Sequence, residues 1–510
     1  MESLVTRPTD EHTTAASPAA VQMAFDNSYA RELEGLYVKS LPVGSPAPRL
    51  LRLNRELAEE LGLDPDEMAS ATGLAVLAGN AVPALAQPLA QAYAGHQFGG
   101  FSPQLGDGRA VLLGELIDQH GRRRDIALKG SGRTPFSRRG DGLAALGPVL
   151  REYLMGEAMH ALGIPTTRAL AAVATGAVVQ RMRALPGAIL TRVASSHLRV
   201  GTFEYFAARQ DEVLLRRLAD YAITRHGAPL AGTPERYFGL LEAVVERQAA
   251  LLSRWMGVGF IHGVMNTDNM TISGETIDYG PCAFMEHFDP QAVFSSIDTS
   301  GRYTYGQQPV IAQWNLARFA EALLPLFDED VELAAERVNG AVEAFAERFD
   351  FHWTAVLKAK LGLVGADADA RALADDYLTL LHVHRVDFTL GFARLADAAA
   401  GHDAPLHSLF GTAGAALTPW LQRWRGRIQA QATGADEPAA AMRRVNPVYI
   451  PRNHQVEAAL DAAVERDDLA PFERLLQVLE HPFEEQAAFS EFAEPAPPEQ
   501  TARHRTFCGT

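Results

Sequence analysis

Apolar positions change rhythm along the chain. Residues 110–117 and 125–129 are two short apolar runs around a polar turn at 119–124 with Gly121 inside it, a pattern that predicts a β-hairpin. Leu143, Leu146, Leu150, Tyr153 and Leu154 then recur at helical spacing, which predicts a helix over 143–162, ended by Gly163 and Pro165. Further strands are expected at 167–175, 177–182 and 188–194. From about residue 203 the spacing turns helical: roughly 204–226, 235–257, 312–327, 330–348, 351–360, 368–382, 416–432 and 453–465, interrupted by a strand-rich stretch at 259–280. The expected class is α+β: a disordered lead-in (1–25), a β-rich first lobe (26–200), a helical second lobe (201–490) and a mobile C-terminal tail (491–510) whose Pro495, Pro497 and Pro498 are accompanied by few core-forming residues.

Composition narrows the function classes. Apolar residues make up 47% and charged residues 21% of the 510, enough for a sizeable core. No run approaches the ~18 apolar residues of a membrane-spanning helix. Residues 1–20 lack an apolar signal core, and Glu2, Asp10 and Glu11 disfavour a transit peptide, so a cytoplasmic protein is expected, with no membrane partner. The net charge of −16 argues against general nucleic-acid binding. Positive charge is concentrated all the same: Lys129, Arg133, Arg138, Arg139, Arg151, Arg168, Arg181, Arg183, Arg192 and Arg199 fall in one third of the chain. Such a cluster suits a small polyanion such as a nucleotide, or is simply a solvated surface. Cys282 and Cys508, the two cysteines, make neither a disulfide scaffold nor a zinc site. The oligomeric state is not readable from the sequence; a monomer is the expectation.

Three constellations carry possible chemistry. The first is Gly106-Asp107-Gly108-Arg109 running into a strand, where glycines would let backbone amides approach phosphates; a plain tight turn is the other reading. The second is Lys129 at the end of the next strand with Glu152 in the following helix, the order in which kinases place their phosphate-holding lysine and its carboxylate partner; two unrelated surface charges would look the same. The third is residues 262–281. His262-Gly263 matches the start of a kinase catalytic loop, Asn269 falls at its asparagine, and Asp278-Tyr279-Gly280 fills the D-F-G slot after a hairpin expected from 270–272 and 276–277. Oxygens of Asn269 and Asp278 suit magnesium. The catalytic aspartate position holds Val264, a pseudokinase feature, while Asp268 beside Asn269 could supply the missing carboxylate. Together these predict a bilobal protein kinase-like plan with the metal hairpin at 259–281.

Longer stretches resemble the selenoprotein O (YdiU) family: residues 93–99 (Tyr93 to Gly99), 103–110, 128–137, 262–269, 294–298, Gly301-Arg302-Tyr303 and 313–318. The resemblance spans nearly the whole chain, and no position in these motifs breaks the family pattern. It implies a kinase-like fold holding ATP in a flipped orientation, so that AMP rather than phosphate passes to serine, threonine or tyrosine hydroxyls of proteins and pyrophosphate leaves. By matching motif it implies nucleotide contacts at Gly106, Gly108, Arg109, Asp141 and Gly142 and phosphate contacts at Lys129 (supported by Glu152), Arg192 and Arg199. It further implies Asp268 as general base, and Asn269 and Asp278 as ligands of Mg2+, with Asp278 also at the nucleotide. Manganese in place of magnesium and UTP in place of ATP stay open. The resemblance also suggests that Cys508, where some members carry selenocysteine, pairs with Cys282 as a redox switch; two free thiols are the alternative.

His382-Val383-His384 reads as packing histidines, and residues 451–456 suggest no physical role beyond packing or a helix start. The competing functions are a phosphotransferase, which Val264 disfavours, and an inactive nucleotide-binding scaffold, which the complete set of Lys129, Asn269 and Asp278 disfavours.

Overall fold

The computed structural model describes residues 21–327, 330–365, 369–431 and 437–507. Its first part is built on one antiparallel sheet, in the order Tyr37–Lys39, Leu89–Gln91, Ala110–Ile117, Arg123–Lys129, Ala184–Ala194, Arg168–Gln180, Arg49–Leu53. The expected hairpin is at its centre, with Ala110 opposite Lys129 and Ile117 opposite Arg123. Its strands are buried on both faces, and the period-two alternation sorts residue size. Val111, Leu113, Ile126, Leu128 and Ile189 pack on one side with Val21, Met23 and Phe25. Leu112, Ala127, Ala172 and Ala188 face the helix Leu146–Ala161 on the other. Small alanines let that helix lie close, which brings Glu152 within reach of Lys129.

Several expectations change. The strands expected at 167–175 and 177–182 are one, Arg168–Gln180, because the break at Gly176 is a bulge: pairing jumps from Pro186–Val178 to Ala188–Ala174. The helix expected over 204–226 is two, Val200–Ala207 and Glu212–His226. Gln210 turns left-handed (φ 55°), and the Asp211 carboxylate accepts the Leu214 N–H at 3.1 Å, restarting the helix. The two helices expected at 330–348 and 351–360 are one, Val331–Lys360, since neither glycine nor proline interrupts them at 349–350. The helices Phe388–Ala399 and Ala470–Leu479 were not expected. Among the described residues no helix is long and apolar enough to cross a membrane.

The strand-rich stretch expected at 259–280 is mostly loop. Phe260–Ile261 pairs with Ala283–Phe284 and frames it. The expected hairpin strands pair outward instead, Thr271 with Arg199 and Thr276 with Thr166. The Thr271 hydroxyl closes the turn, accepting from the Glu275 N–H at 3.0 Å and donating to the Glu275 carbonyl at 2.7 Å.

Both chain ends differ from expectation where they are described. Residues 1–20 of the lead-in lie outside the described residues, but Val21, Met23 and Phe25 are core. The tail expected to be mobile carries a helix, Pro498–Arg503, and a buried Thr506. Thr506 takes the Ser296 N–H at 2.9 Å, gives its own N–H to Phe294 O at 2.8 Å, and donates its hydroxyl to Pro281 O at 2.6 Å. Residues 451–456 gain a role. Arg452 is fully buried between Glu286 and Asp387 and donates to Ala493 O at 2.9 Å. Asn453 holds Phe284 by both its N–H (3.1 Å) and its carbonyl (2.7 Å). These bonds clamp a helix start onto the strand that follows the Asp278 loop.

Candidate active site

The predicted residues converge on one cleft of about 520 Å³ between the sheet and the 262–281 loop. Gly106, Gly108 and Arg109 line it from the turn before the central hairpin, and Asp141 and Gly142 from the loop after it. Gly106 has φ 79°, and a Cβ there would run into the Phe136 ring, so only glycine allows the turn to sit this close. Asp141 is fixed by Arg181, at 2.7 and 3.2 Å, which holds its carboxyl below the usual range. Lys129, Glu152, Arg192, Arg199, Asp268, Asn269 and Asp278 form the floor.

Charge organises that floor. Lys129 Nζ lies 2.5 Å from both Glu152 Oε2 and Asp278 Oδ1. Arg192 donates to Glu152 Oε1 at 3.1 Å and Asp278 Oδ1 at 2.9 Å. Arg199 donates to Asp278 Oδ2 at 3.2 Å and to Asp268 O at 2.7 Å, with its guanidinium 4.5 Å above the Tyr93 ring. Burial alone would raise the Asp278 carboxyl, but Lys129, Arg192 and Arg199 overcome it and hold the group well below its ordinary value. The Asp278 backbone is left-handed (φ 63°), unusual for a non-glycine residue, and three cations on one carboxylate offset that strain.

Asp268 is set up differently. It is buried, Oδ2 takes one long hydrogen bond from Gln97 Nε2 at 3.3 Å, and Oδ1 has no partner among the described residues. Burial pushes its carboxyl up to about 6, with Arg199 pulling the other way. Such a carboxylate accepts a proton more readily than an exposed aspartate. Val264, where a kinase has its aspartate, is buried; its carbonyl takes the Asn269 side-chain N–H at 3.0 Å, which leaves the Asn269 amide oxygen as the other end. His262 is buried and bonded to Ile277 O at 2.9 Å, so it braces the loop and burial pulls its ring down from the ordinary value.

The donor set fits a hard divalent ion. The Asn269 amide oxygen and the Asp278 carboxylate are the few oxygens magnesium takes from protein when nucleotide phosphates complete its shell. Among the described residues no group of three His, Cys, Asp or Glu side chains is spaced to hold an ion unaided.

A model of the family described as protein adenylyltransferase SelO matches residues 20–480. The chain belongs to the SelO family. Relatives named protein nucleotidyltransferase YdiU agree over nearly the full length of both chains. One from Cereibacter sphaeroides is 62% identical over 487 residues, 95% of this chain and 99% of the relative. One from a Mycobacterium species is 58% identical over 489 residues (96% and 99%), and one from a Bradyrhizobium species 57% over 491 (96% and 100%).

Three features of this SelO-family site escaped the sequence reading. Gln97 reaches Asp268 across 171 positions, and a Cβ on Gly95 would come within 2.7 Å of Asp268 Oδ1. Arg192 Nε donates to His197 Nε2 at 3.1 Å, so the ring proton sits on Nδ1 and faces Asp125 Oδ2 at 2.9 Å. That keeps His197 neutral, as burial also favours, and fixes the guanidinium. The visible signals were Asp125 beside the apolar run 126–128 and the motif at 93–99. Conversely, two arginines of the basic cluster serve structure, Arg168 paired with Glu157 (2.7 Å) and Arg151 with Glu457 (2.9 Å), while Arg183, paired with Glu465 (2.5 Å), is a solvated surface charge.

Proposed function

We propose that this protein transfers AMP from ATP to hydroxyl side chains of proteins and releases pyrophosphate, on a bilobal kinase-like frame of residues 26–200 and 201–490 that binds the nucleotide in the flipped sense. The observation that carries the reading is the Asp268 carboxylate, half unpartnered and raised to about 6, on the same cleft as the Lys129–Glu152–Asp278 cluster while Val264 occupies the kinase base position.

In this reading the acceptor oxygen attacks the α-phosphorus, the bond to the bridging oxygen of the pyrophosphate breaks, and the acceptor proton passes to Asp268. Lys129, Arg192 and Arg199 neutralise the polyphosphate as charge moves to the leaving group. Gly106, Gly108 and Arg109, with Asp141 and Gly142, hold the rest of the nucleotide. Asn269 and Asp278 would hold Mg2+ or Mn2+, which supplies further charge neutralisation at the phosphates. A cytoplasmic monomer acting on protein rather than nucleic acid completes the proposal; UTP is a second donor to test beside ATP.

The test is incubation with magnesium, a protein acceptor and ATP labelled at the α- or the γ-phosphate, under reducing conditions. Label entering protein from the α position alone supports AMP transfer. Label from the γ position alone makes the protein a phosphotransferase, and label from neither, with ATP still bound, makes it a scaffold.

Redox control through Cys282 and Cys508 belongs to the same proposal. Cys508 lies outside the described residues, but Thr506, two positions earlier, is bonded to Pro281, the neighbour of Cys282. The Cys282 thiol is fully buried and pushed up to about 11 by burial. Mild oxidation is expected to lower AMP transfer several-fold in the native protein and to leave Cys508→Ser unchanged. Equal loss in both, or two reactive thiols throughout in the native protein, would count against the pairing.

A further inference from the structure

The motif at 93–99 does more than brace Asp268. Gly95–Gln97 pairs with Gly100–Ser102 in a small antiparallel hairpin. Three consecutive residues of the catalytic loop hold it. The Thr267 hydroxyl oxygen accepts the His96 N–H at 2.7 Å, Asn266 Oδ1 accepts the Phe98 N–H at 3.1 Å, and Asp268 Oδ2 accepts from Gln97 at 3.3 Å. The Tyr303 hydroxyl donates to the same Asn266 oxygen at 2.9 Å, and its ring meets Phe98 edge-on at 5.2 Å. The tip is therefore rigidly tied to the base.

What that rigid tip presents is apolar. Phe98 is 39% exposed and Phe101 41%, and Ile297, on the facing 294–298 loop, is 46% exposed. Phe98 and Ile297 share the cleft wall with Asp268. Single exposed apolar side chains are common, and alone they mean nothing. Phe98 differs because its backbone is left-handed (φ 51°), a conformation that a bulky residue rarely adopts and that asparagine or glycine would take with less strain. Phe98 packs by one edge on Tyr303, and the rest of its ring stays exposed beside the proposed general base, on the cleft wall. Tying Phe98 to the catalytic loop fixes its place relative to Asp268.

We propose that Phe98 and Ile297, with Phe101 at the outer edge, form the acceptor-docking rim: they grip an apolar side chain close in sequence to the hydroxyl being modified. The occupant is a protein segment with an aliphatic or aromatic residue beside its serine, threonine or tyrosine. Continuity with the cleft selects this occupant, because Phe98 and Ile297 line the same cleft as Asp268, which the acceptor hydroxyl must reach. The inference rests on the AMP-transfer reading and adds to it what the acceptor looks like.

The test uses two peptides of equal length and charge, each with one threonine, flanked by leucine and phenylalanine in one and by glutamine in the other. AMP transfer from α-labelled ATP is followed for the full-length protein. The native protein is expected to favour the apolar-flanked peptide by about tenfold in kcat/KM, the scale of one apolar contact in a specificity pocket. Phe98→Asn, which suits the left-handed backbone, and separately Ile297→Gln are expected to bring the ratio toward one while the KM for ATP holds. A native protein that modifies both peptides equally, or variants that keep the native ratio, would overturn the rim. A native protein that labels itself but neither peptide would also overturn it and leave AMP transfer standing, whereas no α-label in any protein would bring down both.

Discussion

AMP transfer by the Asp268→Asn variant is expected to fall by about 10²–10⁴ while ATP binding changes less than about twofold, because removing a positioned general base costs on that order. Asparagine keeps the shape and can still meet Gln97, so the cleft is preserved and, in the proposed reading, proton acceptance alone is removed. Among the described residues no cation touches the Asp268 carboxylate; Arg199 reaches its backbone carbonyl, so the cluster that would hold phosphates stays intact. Rate and ATP affinity measured on the same preparation check this. A variant with native turnover would remove Asp268 from the chemistry, and one that loses ATP binding would make it a nucleotide ligand instead.

Asp278→Ala is expected to fail in a different way. The carboxylate is shared by Lys129, Arg192 and Arg199, and removing one partner from a buried ionic cluster leaves charge uncompensated, typically costing about 3–5 kcal/mol when burial is complete. The Asp278 side chain is 22% exposed, and Glu152 still serves two of the cations, so the cost here is discounted to about 1–3 kcal/mol. Transfer is expected to vanish, metal-dependent ATP binding to weaken, and the thermal midpoint to drop. Pyrophosphate should then raise the variant's midpoint by more than it raises the native one, since the three cations have lost their internal anion. An unchanged midpoint with unchanged metal dependence would contradict the geometry of this cluster.

The two variants separate what was legible in the sequence from what was not. Asp268, Asn269 and Asp278 stand within eleven positions of one another, and the chemistry of phosphates and metals demands particular side chains at short spacing, so the sequence displays them. Lys129 and Glu152, 23 positions apart, were legible from element order, a strand lysine followed by a helix glutamate. Gln97 and His197 act across 171 and 72 positions, where no local pattern reports contact. The alternation in 110–117 and 125–129 showed two strands but not that alanines face the helix. Gly176 looked like a turn because a bulge and a turn ask the same freedom of a glycine. Thr506 was invisible because its burial rests on three hydrogen bonds rather than on apolar periodicity. Cys508 lies outside the described residues, so its pairing stays with the proposal.

The floor of the cleft also behaves as an ion exchanger. Each cation there already has a carboxylate partner supplied by the fold, and the desolvation of those charges is met when the chain folds rather than when a ligand arrives. A polyphosphate entering alone must displace Asp278 and leave it stranded; a divalent ion entering alone must displace three cations. Arriving together in the proposed reading, the two would swap partners with the floor, the metal taking Asp278 and the phosphates taking the three cations. In the proposed reading the cleft would therefore select the metal–nucleotide pair over either component alone.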